Sequence, residues 1–324
     1  MTLKSNTLRT PDQAFENLTD YPFTPNYLYV DGLRMHYVDE GRQHSKTIFL
    51  FHGQPTWSYL YRHMIPLLVD AGYRVIAPDL IGFGKSDKPL SANQHTYANH
   101  VKWMQSFVQQ LDIKNAAAFF QDWGGMIGLR VLAQEPEWLS RLMLSNTALA
   151  EMNGLEKFMV PKVLKAMAAF AGKPDLATLK SKITYGNWAG YFRHSDQLEI
   201  GEVIQALSTK SLTADEMSAY DAPFPNADYY AAPRKMPEIV ASELDDVNQD
   251  WKALKDWKHP VLTLFSDLDP FLADKGYDIK FQNNFSGAFK QPHTTIKNAS
   301  HFLQEDQSAV LAEQATQWLQ QTRF

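Results

Sequence analysis

The sequence predicts an α/β fold: a mostly parallel central sheet flanked by helices, with a helical cap inserted in the middle of the chain. Three observations carry this. Short apolar runs alternate with helical patterns from about Thr47 to Ser145, the signature of a parallel sheet covered on both faces. The alternation stops near Asn146 and resumes near 244. At 324 residues, the chain is long enough for one large α/β domain plus an insertion.

The elements follow in order. Tyr27 to Val30 and Arg34 to Val38 flank Asp31-Gly32, a strong hairpin signal. Thr47 to Phe51 is an apolar run suited to a buried strand, ending at H-G-Q-P-T-W-S from His52. Arg74 to Ala77 reads as a strand running into Pro78-Asp79 and the loop Ile81 to Pro89. Thr96 suits a helix N-cap, and Val101, Met104, Val108 and Leu111 recur at helical spacing behind it. Ala116 to Phe120 forms the next strand, a helix runs to about Ala133, and a short strand covers Leu142 to Ser145. Between Asn146 and Glu243 there are helices and loops but no clear strand. A helix over Val247 to Trp257, strands at Val261 to Phe265 and Thr294 to Lys297, and a last helix with Leu311, Ala315 and Trp318 on one stripe complete the fold. Residues 1–146 and 244–324 are therefore read as the sheet domain and 147–243 as its cap. A second independent domain is the alternative; the segment lacks a linker and is short for its own core, at roughly ninety residues against ordinary domain sizes.

Composition narrows the chemistry. The formal net charge of −5 gives no reason to expect nucleic acid or an anionic membrane as partner. The absence of cysteine removes disulfides, thiolate nucleophiles and cysteine metal sites. No H-E-x-x-H spacing or Gly-rich nucleotide loop is found, so neither a metal nor another cofactor is expected. The start of the chain has no signal-like apolar run, and no stretch approaches the ~18 apolar residues that span a bilayer. A soluble cytoplasmic protein is expected.

The chemistry centres on F-Q-D-W-G-G, Phe120 to Gly125. A strand turning sharply into a helix, with glycines at the turn, is the nucleophile elbow of the α/β-hydrolases. The residue there is pushed into a strained, exposed position. Here it is Asp122, a carboxylate that needs no base to attack carbon. The plain alternative is that Asp122 only caps the helix that follows. Asp269, in F-S-D-L-D-P, and His301, in N-A-S-H-F-L, also fall where strands end, and functional groups gather at those carboxyl ends. The chain order is nucleophile, acid, histidine. The histidine would take a proton from water, and the acid would orient the imidazole. Asp267 rivals Asp269, and either could start the turn at Asp-Pro. His52 is expected to support the H-G-Q-P turn.

At this point the chain resembles the haloalkane dehalogenases. The resemblance runs from His52 to His301 and rests on H-G-Q-P-T-W-S, P-D-L-I-G-F-G-K-S-D-K-P, Q-D-W-G-G, A-Y-D-A-P-F-P, F-S-D-L-D-P and N-A-S-H-F in that order. It is similar to the subfamily whose acid follows the later strand. The other large subfamily carries Glu where this chain has Asn146-Thr147-Ala148-Leu149, and Glu151 lies just beyond. The resemblance implies a cofactor-free hydrolysis of small haloalkanes in which Asp122 displaces halide and forms an alkyl ester. It implies Trp123 as one halide donor. The second would be Trp188, which lies alone among tryptophans between Trp138 and Trp251. An indole N–H is a donor only, on a large apolar ring. Backbone N–H groups of Gln54 and Trp123 would form the oxyanion hole. Met126, Phe224, Pro225 and Phe271 would line the pocket. The implied partners are the haloalkane, halide and water, with the protein a monomer.

This sequence departs from the family at Gln54, where relatives carry Glu or Asn, at the bulky Phe120, and in a long segment between Asn146 and Trp188. Two other functions stay in view. One is an epoxide hydrolase of the same fold, which would use paired cap tyrosines from among Tyr185, Tyr191, Tyr220, Tyr229 and Tyr230. The other is a non-catalytic ligand receptor, since function does not follow from fold.

Overall fold

In a computed structural model of the chain, residues 3–151, 154–240 and 247–322 are described. The expected end of the cap at 243/244 lies outside the described residues. The main sheet contains β1 (Asn26–Val30), β2 (Leu33–Glu40), β3 (Thr47–Phe51), β4 (Arg74–Pro78), β5 (Ala116–Gln121), β6 (Leu139–Ser145), β7 (Val261–Ser266) and β8 (Thr294–Ile296). Its order is β8-β7-β6-β5-β3-β4-β2-β1. All neighbours from β8 through β4 are parallel, and β2 and β1 are antiparallel. The hairpin expected at Asp31-Gly32 is present, with both residues at positive φ, 51° and 74°, as a tight primed turn requires.

The strands form where the apolar runs predict them. Every residue of β3, β5, β6 and β7 is buried, as in a sheet covered on both faces. Thr96 caps the helix Tyr97–Leu111 by accepting from Asn99 N–H. The last helix, Ser308–Gln321, buries Leu311, Ala315 and Trp318. A small pairing of Thr7–Leu8 with Lys88–Pro89 was not foreseen; two residues per strand leave no period to read.

Between β6 and β7 the described residues form helices at Glu156–Phe170, Leu176–Ser181, Tyr185–His194, Ile200–Ala206, Ala214–Asp221 and Ala231–Ile239. They lie over the carboxyl end of the sheet: Trp57 on the turn after β3 donates to Ala219 O, and Gln54 donates to Pro233 O.

The loop after β4 is organised by the buried Asp79. It accepts from Ser58 N–H and Lys85 N–H and pairs with His36 Nδ1 at 2.7 Å. Burial opposes its charge, but these partners outweigh it and hold its carboxyl below the ordinary range. A Cβ at Gly84 would lie 2.1 Å from its carboxylate, and Gly84 has φ 49°. Glycine is therefore required where the loop wraps that group.

Candidate active site

β5 runs directly into Asp122, which sits at φ 52° and ψ −128°, a strained conformation for a residue with a Cβ. Its side chain makes no capping bond to the helix Trp123–Gln134, so capping does not account for it. The backbone secures the turn. Asp122 N–H donates to Asn146 O, and its carbonyl accepts from Gly125 N–H and Thr147 Oγ1. A Cβ at Gly124 would stand 2.4 Å from Phe51 O, and one at Gly53 would stand 2.0 Å from Asp122 Oδ1. Glycine at both positions lets helix, strand and turn converge. Gln54 N–H, at the end of that convergence, donates to Asp122 Oδ1 at 2.8 Å.

His301 lies buried opposite. Its Nδ1 donates to Asp269 Oδ2 at 2.8 Å, and its Nε2 stands 3.6 Å from Asp122 Oδ2. Asp269 is fixed in turn by Phe271 N–H and Leu272 N–H on its other oxygen. Asp267, the rival acid, instead accepts from Ala299 N–H and pairs with Lys297. Burial disfavours a charge on His301, but Asp269, and then Asp122, outweigh it and hold the imidazole above its ordinary pKa. His52 is neutral and structural by contrast. Its Nε2 accepts from Leu80 N–H, its Nδ1–H reaches Gly53 O, and burial lowers its pKa.

Sequence reading did not single out Asn146 as part of the site. Its side-chain NH₂ donates to Ser266 Oγ, Ser300 O and His301 O, and its oxygen accepts from Ser266 N–H. One buried amide thus ties the ends of β6 and β7 to the histidine loop. Its position directly after a predicted strand was the available signal. Glu151 lies outside the cavity and pairs with Lys255 and Lys280.

Asp122 and the His301 imidazole, with Asp269 buried behind it, meet at a cavity of about 300 Å³ lined also by Gln54, Trp123, Met126, Trp188 and Phe271. Larger depressions of about 720 and 750 Å³ lie elsewhere on the surface and hold none of the three. Phe271 packs edge-on to both Trp188 and His301. Among the described residues, neither the Trp123 nor the Trp188 indole N–H has a hydrogen-bond partner; those of the buried Trp103, Trp138 and Trp251 lack one too, but only Trp123 and Trp188 line the cavity. A small apolar chamber lined by a carboxylate and two such indoles can accept an apolar molecule and an anion leaving from it.

Two expected lining residues are not brought to this cavity. Phe224 is buried against Phe83 and Tyr230, and Pro225 is exposed beside a separate depression. Phe224 N–H donates back to Asp221 O, closing a turn at the end of the helix Ala214–Asp221. That turn directs both side chains away from the cavity. The walls come instead from Thr147, Ala148, Leu164, Tyr185, Pro237 and Leu272, among others. Leu164 and Pro237 carry no motif, and only their place in the folded helices shows their role.

One group of potential metal ligands exists among the described residues: His63, Glu216 and Glu305. Arg62 already donates to both carboxylates, so the place of a cation is taken by a guanidinium.

The model of the alpha/beta hydrolase fold family matches residues 46–308. A haloalkane dehalogenase of Psychrobacter cryohalolentis is 42% identical over 322 residues, covering 96% of this chain and 97% of its own. One of Mycolicibacterium paratuberculosis is 39% identical over 323 residues, covering 97% and 98%. Among solved structures, the tetrameric haloalkane dehalogenase DpaA of Paraglaciecola agarilytica is similar with TM-score 0.78 at 29% identity, covering 97% of this chain and 98% of that one.

Proposed function

This chain belongs to the haloalkane dehalogenases, hydrolases of the carbon–halogen bond, and we propose that it acts through an alkyl ester on Asp122. The observation that carries this is the strained Asp122 carboxylate facing the His301–Asp269 pair across an apolar cavity. Asp122 Oδ2 attacks the carbon bearing the halogen. The carbon–halogen bond breaks, and its electron pair leaves with the halide toward the N–H groups of Trp123 and Trp188. Water is then deprotonated by His301 Nε2 and attacks the Asp122 carboxyl carbon. The oxygen that becomes negative is Oδ1, which the Gln54 backbone N–H already meets at 2.8 Å, with the backbone N–H of Trp123 as its partner donor. Collapse breaks the bond from the carboxyl carbon to Oδ2, which leaves with the alkyl group and takes the proton from His301 as the alcohol, while the water oxygen completes the restored Asp122 carboxylate and its remaining proton goes to solvent.

The raised pKa of His301 fits this order. While Asp122 is charged, the imidazole between two carboxylates holds a proton. Esterification removes one of those charges, the proton is released, and His301 becomes a base only when there is an ester to hydrolyse. We further treat the helices after β6 as a cap that closes the chamber. The sequence suggests a monomer whereas the P. agarilytica relative is described as tetrameric; sedimentation velocity decides between them.

An epoxide hydrolase draws less support. Of the five cap tyrosines, only Tyr185 lines the cavity, and its hydroxyl is committed to Pro237 O at 2.9 Å. Tyr220 is bonded to Glu305 and Tyr191 to Glu199 N–H. Among the described residues no two of these five tyrosines line the cavity together, as protonating an epoxide oxygen would require. The test is halide release from 1-bromobutane and 1,2-dibromoethane, with styrene oxide consumption in parallel. Asp122→Ala abolishes halide release. His301→Phe gives one turnover and gains the mass of the alkyl group. Steady turnover by the His301 variant at the parent rate overturns the assigned base, and diol formation without halide release overturns the substrate class.

A further inference from the structure

The helix Glu156–Phe170 buries none of its residues. Its inner side, at Pro161, Leu164 and Ala168, is half-buried and lies on the helix Tyr185–His194. The contact is close because Gly186 has no side chain: a Cβ there would stand 2.7 Å from Met167 O. The outer side is a second apolar stripe. Leu155, Met159, Val163, Met167 and Phe170 recur at intervals of three and four and all face solvent, with Phe158 beside them. Phe170 is 91% exposed, Leu155 76% and Phe158 70%. Scattered exposed apolar side chains are ordinary, but a continuous stripe of this kind marks a contact surface.

Charge selects the occupant. Exposed Lys157, Lys162 and Lys165 on this helix stand against Glu156 alone, a local net of +2 in a chain of net −5, and just beyond it Lys173 is matched by Asp175. We propose that this helix docks the protein on a lipid surface bearing anionic headgroups, lying in the interface rather than crossing it. An apolar stripe bordered by lysines matches such a surface on both counts. A second copy of the chain, placed symmetrically on the same face, would bring lysines against lysines. No helix among the described residues is long and apolar enough to cross a membrane. The whole-chain charge, which gave no hint of such a partner, averages this segment away. Leu164, from the inner side of the same helix, lines the cavity. One helix therefore separates the lipid-facing stripe from the chamber, and apolar haloalkanes dissolved in the bilayer would meet the protein at that point. Vesicle binding stands apart from the chemistry; the supply of substrate rests on the dehalogenase reading.

Flotation of the full chain with vesicles tests this, using phosphatidylcholine alone or mixed with phosphatidylglycerol, at low and high salt. The protein floats with the anionic vesicles and not with the neutral ones, and high salt weakens the binding. Lys162→Gln and Lys165→Gln each weaken it roughly fivefold. Phe158→Ser with Phe170→Ser weakens it by on the order of tenfold or more. All these variants keep the parent rate on dissolved 1-bromobutane, which shows that they are folded. Absence of flotation with anionic vesicles, or equal flotation with neutral ones, overturns the proposal. So does concentration-dependent self-association that the paired serine variant abolishes, which gives the face to a second copy.

Discussion

Asp122 and His301 are coupled by charge, and the coupling has a measurable sign. The His301 imidazole stands 2.8 Å from Asp269 and 3.6 Å from Asp122. Burial alone would lower its pKa, and the two carboxylates raise it instead. Asp122→Asn removes one of them with little change in shape. The imidazole pKa, followed by NMR of the ring protons, falls in that variant; an unchanged value would sink the account of the base being switched on by esterification. The same shift bears on stability. A raised folded value means that the stabilisation is fully present below the unfolded pKa of about 6.5, and it is lost as pH rises through the folded value. In Asp122→Asn the folded value is lower, so the loss is smaller and complete at lower pH, and thermal melts across the alkaline range would show it. At this scale much of the site was legible. Asp122, Asp269 and His301 each follow a strand, and Trp123 and Gln54 lie within motifs. Asn146 follows a strand as well, but an amide does not advertise chemistry, and its role is apparent only when its four hydrogen bonds are seen together.

At the scale of elements, Phe120 shows how one departure from the family pattern is absorbed. Its ring is buried, stacked on Phe51 at 4.9 Å and tilted against Trp138 at 5.9 Å. The room comes from Gly128 on the helix behind, where a Cβ would meet the Phe120 ring at 2.6 Å. Gly128→Ala gains up to about 1 kcal/mol of helix propensity, yet it drives a methyl group into a ring held on its other faces. Overpacking of this kind costs about 1–3 kcal/mol, so the variant is less stable than the parent in urea. Adding Phe120→Leu relieves the clash, and the double variant is more stable than the sum of the singles implies. A fully additive pair would show that the two positions do not share this space. The strands were legible because each is a buried apolar run bounded by turn residues. The walls of the chamber were not: Leu164 and Pro237 sit on helices whose sequences carry no chemistry. Phe224 and Pro225 belong to a recognisable motif, but the turn back to Asp221 sends them elsewhere. A motif fixes the path of the backbone more securely than the direction of its side chains.

Across the whole molecule, the helices between β6 and β7, which we treat as a cap, and the sheet are joined by a buried set of charges. Arg62, on the core side, donates to Glu305 through both of its terminal nitrogens and to Glu216 Oε1 at 2.8 Å. Tyr220 donates to Glu305, and Lys210 donates to Glu216 at 3.1 Å. Glu305 belongs to the segment after His301, whereas Glu216 and Tyr220 belong to the helix Ala214–Asp221. A second tie runs beside it: Asp306 accepts from Thr209 N–H and Lys210 N–H with one oxygen and from Ser300 N–H with the other. The cap is therefore bonded to the loop that carries His301. Lifting it on this side would strip buried carboxylates of their partners. Cap and core should also melt together. Arg62→Met leaves Glu305 buried without its cation, a loss of about 3–5 kcal/mol, and lowers the single unfolding transition. Arg62→Met combined with Glu305→Leu removes both charges and recovers part of that loss, because the desolvation of an unpaired carboxylate is gone. Denaturant unfolding followed by tryptophan fluorescence and far-ultraviolet dichroism gives coincident transitions in the parent. Two separated transitions there would mean that the cap is a body of its own and that this network does not unite the fold.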